Sequence, residues 1–217
     1  MVIVTSTKEQ LIQTAERLVA LHGIDNVSLR QIGAEAGMAN NSVVQYHFGS
    51  KEGLIQAILD LRLPPLNRRR DLLTARAVPD DVRSVVEAQL LPIIEAGEDE
   101  EGYFLMFLDQ LHRSDLGAPP FDRLGVEADE SRRSYEARLE RFLRHLPPRL
   151  RRMRMLDASL ICFNACADRQ RRRHQGATLV PYGLHVAQLL DGLVAFLVAE
   201  PSPETLAALK VRRAVPV

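Results

Sequence analysis

An all-α fold is the expectation, and three observations carry it. Strand formers are sparse: tryptophan is absent and aromatic residues make up only 5% of the 217 positions. Runs rich in Leu, Ala, Glu and Arg dominate, and these side chains favour helix. Between breaks marked by Gly and Pro, apolar residues recur three and four positions apart, as the buried face of a helix requires. The breaks divide the chain into an N-terminal unit, residues 1–50, and a longer helical array, residues 51–217.

The first helix is expected over Lys8–His22, where Leu11, Ile12, Ala15, Leu18 and Val19 share helical spacing. Ser6 and Thr7 are its cap candidates, with Glu9 and Gln10 three residues beyond each, and Gly23 stops it. The second helix is the best punctuated, with Ser28 as N-cap, Gln31 completing a capping box, and Val27 with Ile32 as a hydrophobic staple. It runs over Leu29–Ala36 and ends at Gly37, which takes the left-handed conformation that other residues resist. A third helix follows from a cap at Asn40 to Phe48; Gly49 closes it and Ser50 caps a fourth beginning at Lys51. Short helices joined by a Gly turn match a helix-turn-helix unit. Beyond it, the candidate helices are 51–63, 66–76, 80–95, 99–113, 122–146, 149–173, 181–199 and 203–211. Pro64 and Pro65 separate the first two of these, and Pro92 is expected to kink or end the third.

Charge gives no global sign of a nucleic-acid partner, since 28 Lys and Arg balance 28 Asp and Glu. Any such function has to come from local features. No secretory leader pattern opens the chain, and its only cysteines, Cys162 and Cys166, fall four apart in a helical stretch. A reduced, cytoplasmic setting is expected. The most apolar run, 192–199, is too short for a membrane span of about 20 residues. No glycine-rich phosphate loop, serine elbow or metal-binding histidine pair stands out, so neither an enzyme nor a cofactor is expected.

The third helix carries the chemistry. Asn41 and Gln45 lie four apart and project from one face, with Ser42 and Tyr46 alongside, while Val44 and Phe48 form a second stripe that can pack inward. Asparagine and glutamine can pair bidentately with adenine. Here the chain resembles the TetR family of transcriptional regulators through Ser28, Leu29, Arg30, Ile32, Ala36, Gly37, His47, Phe48, Ser50, Lys51, Glu52 and Leu54. Counted forward from Gly37, the turn is one residue longer than the family's. The resemblance implies base contacts from Asn41, Ser42, Gln45 and Tyr46, phosphate contacts from Arg30, His47 and Lys51, Asn40 among the DNA-binding residues, and double-stranded DNA as partner.

One such unit reads a short half-site, so a homodimer on a palindromic operator is expected, acting as a repressor. Residues 184–199 are apolar around nearly the whole helix, and the resemblance places Leu189, Leu190, Leu193, Phe196 and Leu197 against a partner subunit, together with the helix at 149–173. It also implies a small-molecule effector in the larger domain. Tyr103, Phe104, Met106, Phe107 and Leu108 could line a pocket for a hydrophobic or aromatic compound, although such a stripe is more often plain core. Cys162 and Cys166 read better as small core residues than as a redox or metal site with His174. The arginine runs at 67–70, 149–154 and 169–174 read as solvated faces or as partners for the acidic stretch 95–101. The competing reading is a helical ligand-binding or interaction module that does not touch DNA; it leaves the dense match over 28–54 as coincidence.

Overall fold

The computed structural model describes residues 6–40, 42–114 and 125–210, the last span without the side chains of 125–132. Among the described residues ten α-helices follow one another: α1 (Thr7–His22), α2 (Leu29–Glu35), α3 (Val43–Phe48), α4 (Lys51–Arg76), α5 (Val82–Ala96), α6 (Phe104–Arg113), α7 (Gly125–Glu140), α8 (Pro148–His174), α9 (Tyr182–Val198) and α10 (Pro203–Lys210). A single 3-10 turn, Arg141–Leu143, follows α7, and no strand occurs among the described residues. The all-α expectation therefore holds.

The first three helices start and stop where local chemistry directs. Ser6 accepts from Glu9 N while Glu9 answers to the Ser6 backbone, and Ser28 with Gln31 repeats the arrangement at α2. Each box satisfies donors that the first helical turn cannot. At the end of α2, Gly37 sits at φ 70°, and the bonds Gly37 N to Ala34 O and Met38 N to Gly33 O close a Schellman motif. Leu11, Ala15 and Val19 of α1, Ile32 of α2, Val44 of α3 and Leu54 and Ile58 of α4 are all buried together.

One expectation is corrected at the prolines and another is narrowed. The break expected at Pro64 and Pro65 does not occur, because α4 runs unbroken through both for 26 residues. It is pinned on either side: Arg62 reaches Glu16 before the prolines, and Arg69 reaches Glu95 beyond them. Tertiary contacts thus hold a helix that local propensity would end. Nor does Pro92 end α5, which continues to Ala96 with Pro92 buried in its interior.

The larger part of the chain packs α5, α8 and α9 on one another, with α4 on α5, α6 on α8 and α7 on α5. The head joins this body chiefly through α1 against α6. Leu189, Leu190, Leu193 and Leu197 are buried here against the chain's own helices, and Phe196 is half-buried beneath the Arg154 guanidinium. Expected as partner-facing, these four leucines belong instead to the core of one chain, because α9 turns this stripe toward α5 and α8. Its outer side presents Leu184, Ala187, Gln188, Asp191 and Ala195. Among the described residues no single helix is long and apolar enough to cross a membrane.

Candidate nucleic-acid interface

The short helix α3 has one dry side and one wet side. Val44 is fully buried and Val43 and Phe48 are partly covered, whereas Ser42, Gln45, Tyr46 and His47 are exposed, Tyr46 to 85%. A tyrosine this bare contributes nothing to packing beyond an edge contact with the His47 ring, 5.3 Å between centroids. Asn41 lies outside the described residues. Asn40 does not open the helix as expected; Ser42 occupies the N-cap position and α3 begins at Val43. The Asn40 side chain acts one step earlier, its Oδ1 accepting from Ser42 N at 2.9 Å, so the longer turn is held by an Asx bond and not by an extra helical residue.

The phosphate candidates divide. Arg30 and His47 are exposed, and Arg30 stands in the first turn of α2. Lys51 is half-buried, and its Nζ donates to Ile24 O at 2.7 Å. Its ammonium keeps two further protons, so it can tie the head together and still face an anion. The junction of α3 and α4 is tight: a Cβ at Gly53 would lie 2.1 Å from Phe48 O, so only glycine fits there. Ser50 Oγ accepts from Gly53 N and leaves the opening turn of the 26-residue α4 beside Lys51. Helix N-termini carry partial positive charge that favours a phosphate.

The expected effector residues fall in the body. Phe104 and Phe107 are buried, Tyr103 and Leu108 half-buried, all on or just before α6. The Tyr103 ring stacks on His174 at 4.1 Å, and His174 Nε2 meets Gly102 O. A cleft of about 610 Å³ lies elsewhere, in the head, lined by Leu18, His22, Val27, Gln31 and Glu35.

Sequence reasoning missed one feature. Glu16, counted only among balancing charges, is 2% exposed and takes both Arg62 nitrogens at 2.7 and 2.9 Å as well as Tyr103 N at 3.3 Å, tying α1 to α4 and to the start of α6. Its burial follows from the position after Ala15 on the inner face of α1, a signal the helical spacing contains. The arginine runs follow one of the two readings the sequence offered, as partners of the acidic stretch. Arg69 pairs with Glu95, Arg70 donates to Gln89 O, and Arg169 and Arg173 converge on Glu98. Burial pulls the Glu98 carboxyl upward, but hydrogen bonds and charge from Arg169 and Arg173 outweigh it and hold the group below its ordinary range. These arginines are internal struts, as the acidic stretch at 95–101 suggested.

With this geometry in place, the comparisons bear on it. Residues 11–58 match the family model for bacterial regulatory proteins of the tetR family. Over that segment the chain carries a tetR-type N-terminal unit. That segment begins within α1, takes in α2 and α3, and ends within α4. Over 90% of this chain and 97% of the other, the fold is similar to that of NalD, the secondary repressor of the MexAB-OprM multidrug efflux pump in Pseudomonas aeruginosa, with 19% identity and a TM-score of 0.51. It is also similar to SmeT, solved as a complex with triclosan, over 92% of this chain and all of that one, at 18% identity and a TM-score of 0.50. No curated protein matches the chain. The TetR helix-turn-helix is a DNA-binding unit of transcriptional regulators, and the exposed side of α3 is its outward surface here.

Proposed function

We propose that this chain is a ligand-responsive repressor that binds a palindromic operator as a homodimer in the cytoplasm, through a head of residues 1–50 carried on a ligand-binding and dimerising body of residues 51–217. The observation that carries the reading is the bare polar side of α3, where Ser42, Gln45 and Tyr46 stand exposed while Val44 anchors the helix from behind. Gln45 and Asn41 suit adenine edges, and Arg30, His47 and Lys51 with the α4 N-terminus suit phosphates. Repression follows from the simplest use of such a head, since occupying a promoter needs no further partner surface. NalD, named as a repressor, and SmeT, solved with triclosan, support repression and a small-molecule effector respectively. A hydrophobic or aromatic compound near Tyr103, Phe104, Phe107 and Leu108 would act by favouring one spacing of the two heads over another.

The test is selection of sites from random duplex DNA with the purified chain, repeated with Asn41→Ala and Gln45→Ala. An inverted repeat whose adenine preferences blur in the variants is the expected result. No enrichment even at low salt would overturn DNA reading and favour a helical ligand-binding module.

A further inference from the structure

Among the described residues α3 is the shortest α-helix, six residues of which only Val44 is buried outright. Fewer than two turns cannot fix a direction by packing along their length, so the two ends of the helix must do it. The C-terminal end is firmly set: Gly49 N donates to Gln45 O, Ser50 caps α4, and Phe48 O lies where a Cβ on Gly53 would clash. The N-terminal end, which carries Ser42 and leads to Gln45, hangs on the turn 37–42, one residue longer than that of the family it resembles. Helix-turn-helix units meet base edges with the N-terminal residues of this helix, so slack in the turn would fall on the reading itself.

Two side chains from the start of α1 reach across to this unit. Lys8 sits over the Phe48 ring at 5.9 Å, at the far end of α3. Gln10 Nε2 donates to Ala36 O at 3.0 Å, across 26 positions of sequence. Ala36 is buried and immediately precedes the turn. The carbonyls of Ile32, Gly33 and Ala34 are taken by the amides of Ala36, Met38 and Gly37, so the motif that closes α2 does not reach Ala36 O. Within the turn the bonds are local, Ser42 N to Asn40 Oδ1 at 2.9 Å and Val43 N to Asn40 O at 3.2 Å. Gln10 therefore ties the entry of the turn to a different helix, which the local bonds do not.

Building on the DNA-reading role, we propose that Gln10 is a positioning residue for base recognition: by holding Ala36 O it fixes where the turn departs, and so how α3 presents Ser42, Gln45 and Tyr46. A net hydrogen bond shifts an equilibrium by a factor of about 2 to 10. Without this one the entry of the turn drifts, and α3 has to be ordered at the moment of binding. Only a complex seated on its bases feels that loss, because non-specific binding is held by phosphates and needs no exact direction of α3. The Gln10 side chain is itself exposed, and its amide keeps a second N–H and an acceptor oxygen. Direct contact with a phosphate is the rival role, and it differs in its signature: a phosphate contact carries no sequence information, so its loss weakens every duplex alike.

The experiment takes the site that the wild-type full-length chain enriches from random duplex and compares its Kd with that of a scrambled duplex of equal length, for wild type, Gln10→Met and Gln10→Lys. Methionine keeps the length and loses the donor, whereas lysine keeps a donor. Gln10→Met should lower the preference for the enriched site by about 2- to 10-fold with the scrambled Kd unchanged. Gln10→Lys should keep the preference near that of wild type, since any phosphate attraction from its charge acts on both duplexes and cancels. A general loss of stability lowers the active fraction on both duplexes equally and leaves the preference where it was. Equal weakening of both duplexes would make Gln10 a phosphate contact, and an unchanged preference would leave its bond to Ala36 O without effect on reading; either result overturns the proposal. Amide hydrogen exchange at Gly37 and Met38, which needs no DNA, should quicken in Gln10→Met while the capping-box amide of Gln31 keeps its rate, and unchanged rates at Gly37 and Met38 overturn the proposal as well. A wild-type chain that enriches no site fails the DNA-reading role and with it the role of Gln10 at the bases, and the exchange rates separate that failure from a bond that never held the turn.

Discussion

Glu16 shows how one side chain can couple two parts of a fold. A carboxylate 2% exposed is costly unless it is paired and hydrogen-bonded, and this one is met by a bidentate guanidinium and a backbone N–H from two different helices. Arg62, 29% exposed, keeps some access to water. Glu16→Ala should therefore lower the unfolding free energy by about 2–3 kcal/mol, less than the roughly 3–5 kcal/mol lost when a wholly buried charge is orphaned. Urea titration measures it, and an unchanged midpoint would contradict the pairing. On the reading side, Gln45 and Lys51 should separate. Gln45→Ala, an exposed change, is expected to relax base choice at one operator position at a cost of about 1–3 kcal/mol there with folding untouched. Lys51→Ala should weaken all sequences alike and also cost about 1 kcal/mol of stability, because the bond to Ile24 O goes with it. Competition binding on single-base operator variants, read beside melting curves, distinguishes them; the reverse pattern would exchange the two roles.

At the scale of elements, what could be read from the sequence was whatever is fixed by contacts three or four residues apart. The boxes at Ser6 and Ser28, the stop at Gly37 and the cap at Ser50 are local, and each lies where the residues predicted it. The cap of α3 moved from Asn40 to Ser42 because an Asx turn and a helix N-cap use the same residue types and differ only in geometry the sequence does not carry. The passage of α4 through two prolines was illegible for a different reason, since Arg62, Arg69 and Arg70 reach partners on α1 and α5 that no local window contains. The prolines nonetheless remain a local cost, each removing one N–H from the helix ladder. Pro65 is exposed, so Pro65→Ala should restore a partner for Leu61 O without opening a cavity and raise stability by about 1–3 kcal/mol. Calorimetry decides this; a loss of stability would mean that α4 depends on the ring's restriction of the unfolded chain more than on the missing bond.

For the whole molecule, the question is which surface a second copy would cover. The leucines that looked partner-facing in the sequence are spent inside one chain, yet the outer sides of α8 and α9 also carry apolar side chains: Met153, Leu156 and Ile161 are 48, 51 and 45% exposed on α8, and Leu184 is 58% exposed on α9. The two helices pack on each other, so these side chains belong to neighbouring surfaces of one helix pair. Several large apolar side chains exposed on one helix pair suit an interaction site, and a head that reads only a short half-site needs a second copy to gain specificity. Because a two-fold contact places the same patch on both sides, one substitution acts twice. Leu156→Glu sets two carboxylates into that patch and should convert a dimer into a folded monomer by sedimentation at micromolar concentration. Loss of the dimer should weaken an inverted-repeat operator far more than an isolated half-site. A wild-type chain that sediments as a monomer would remove the dimer from the reading and leave the exposed stripe on α8 and α9 for a different partner.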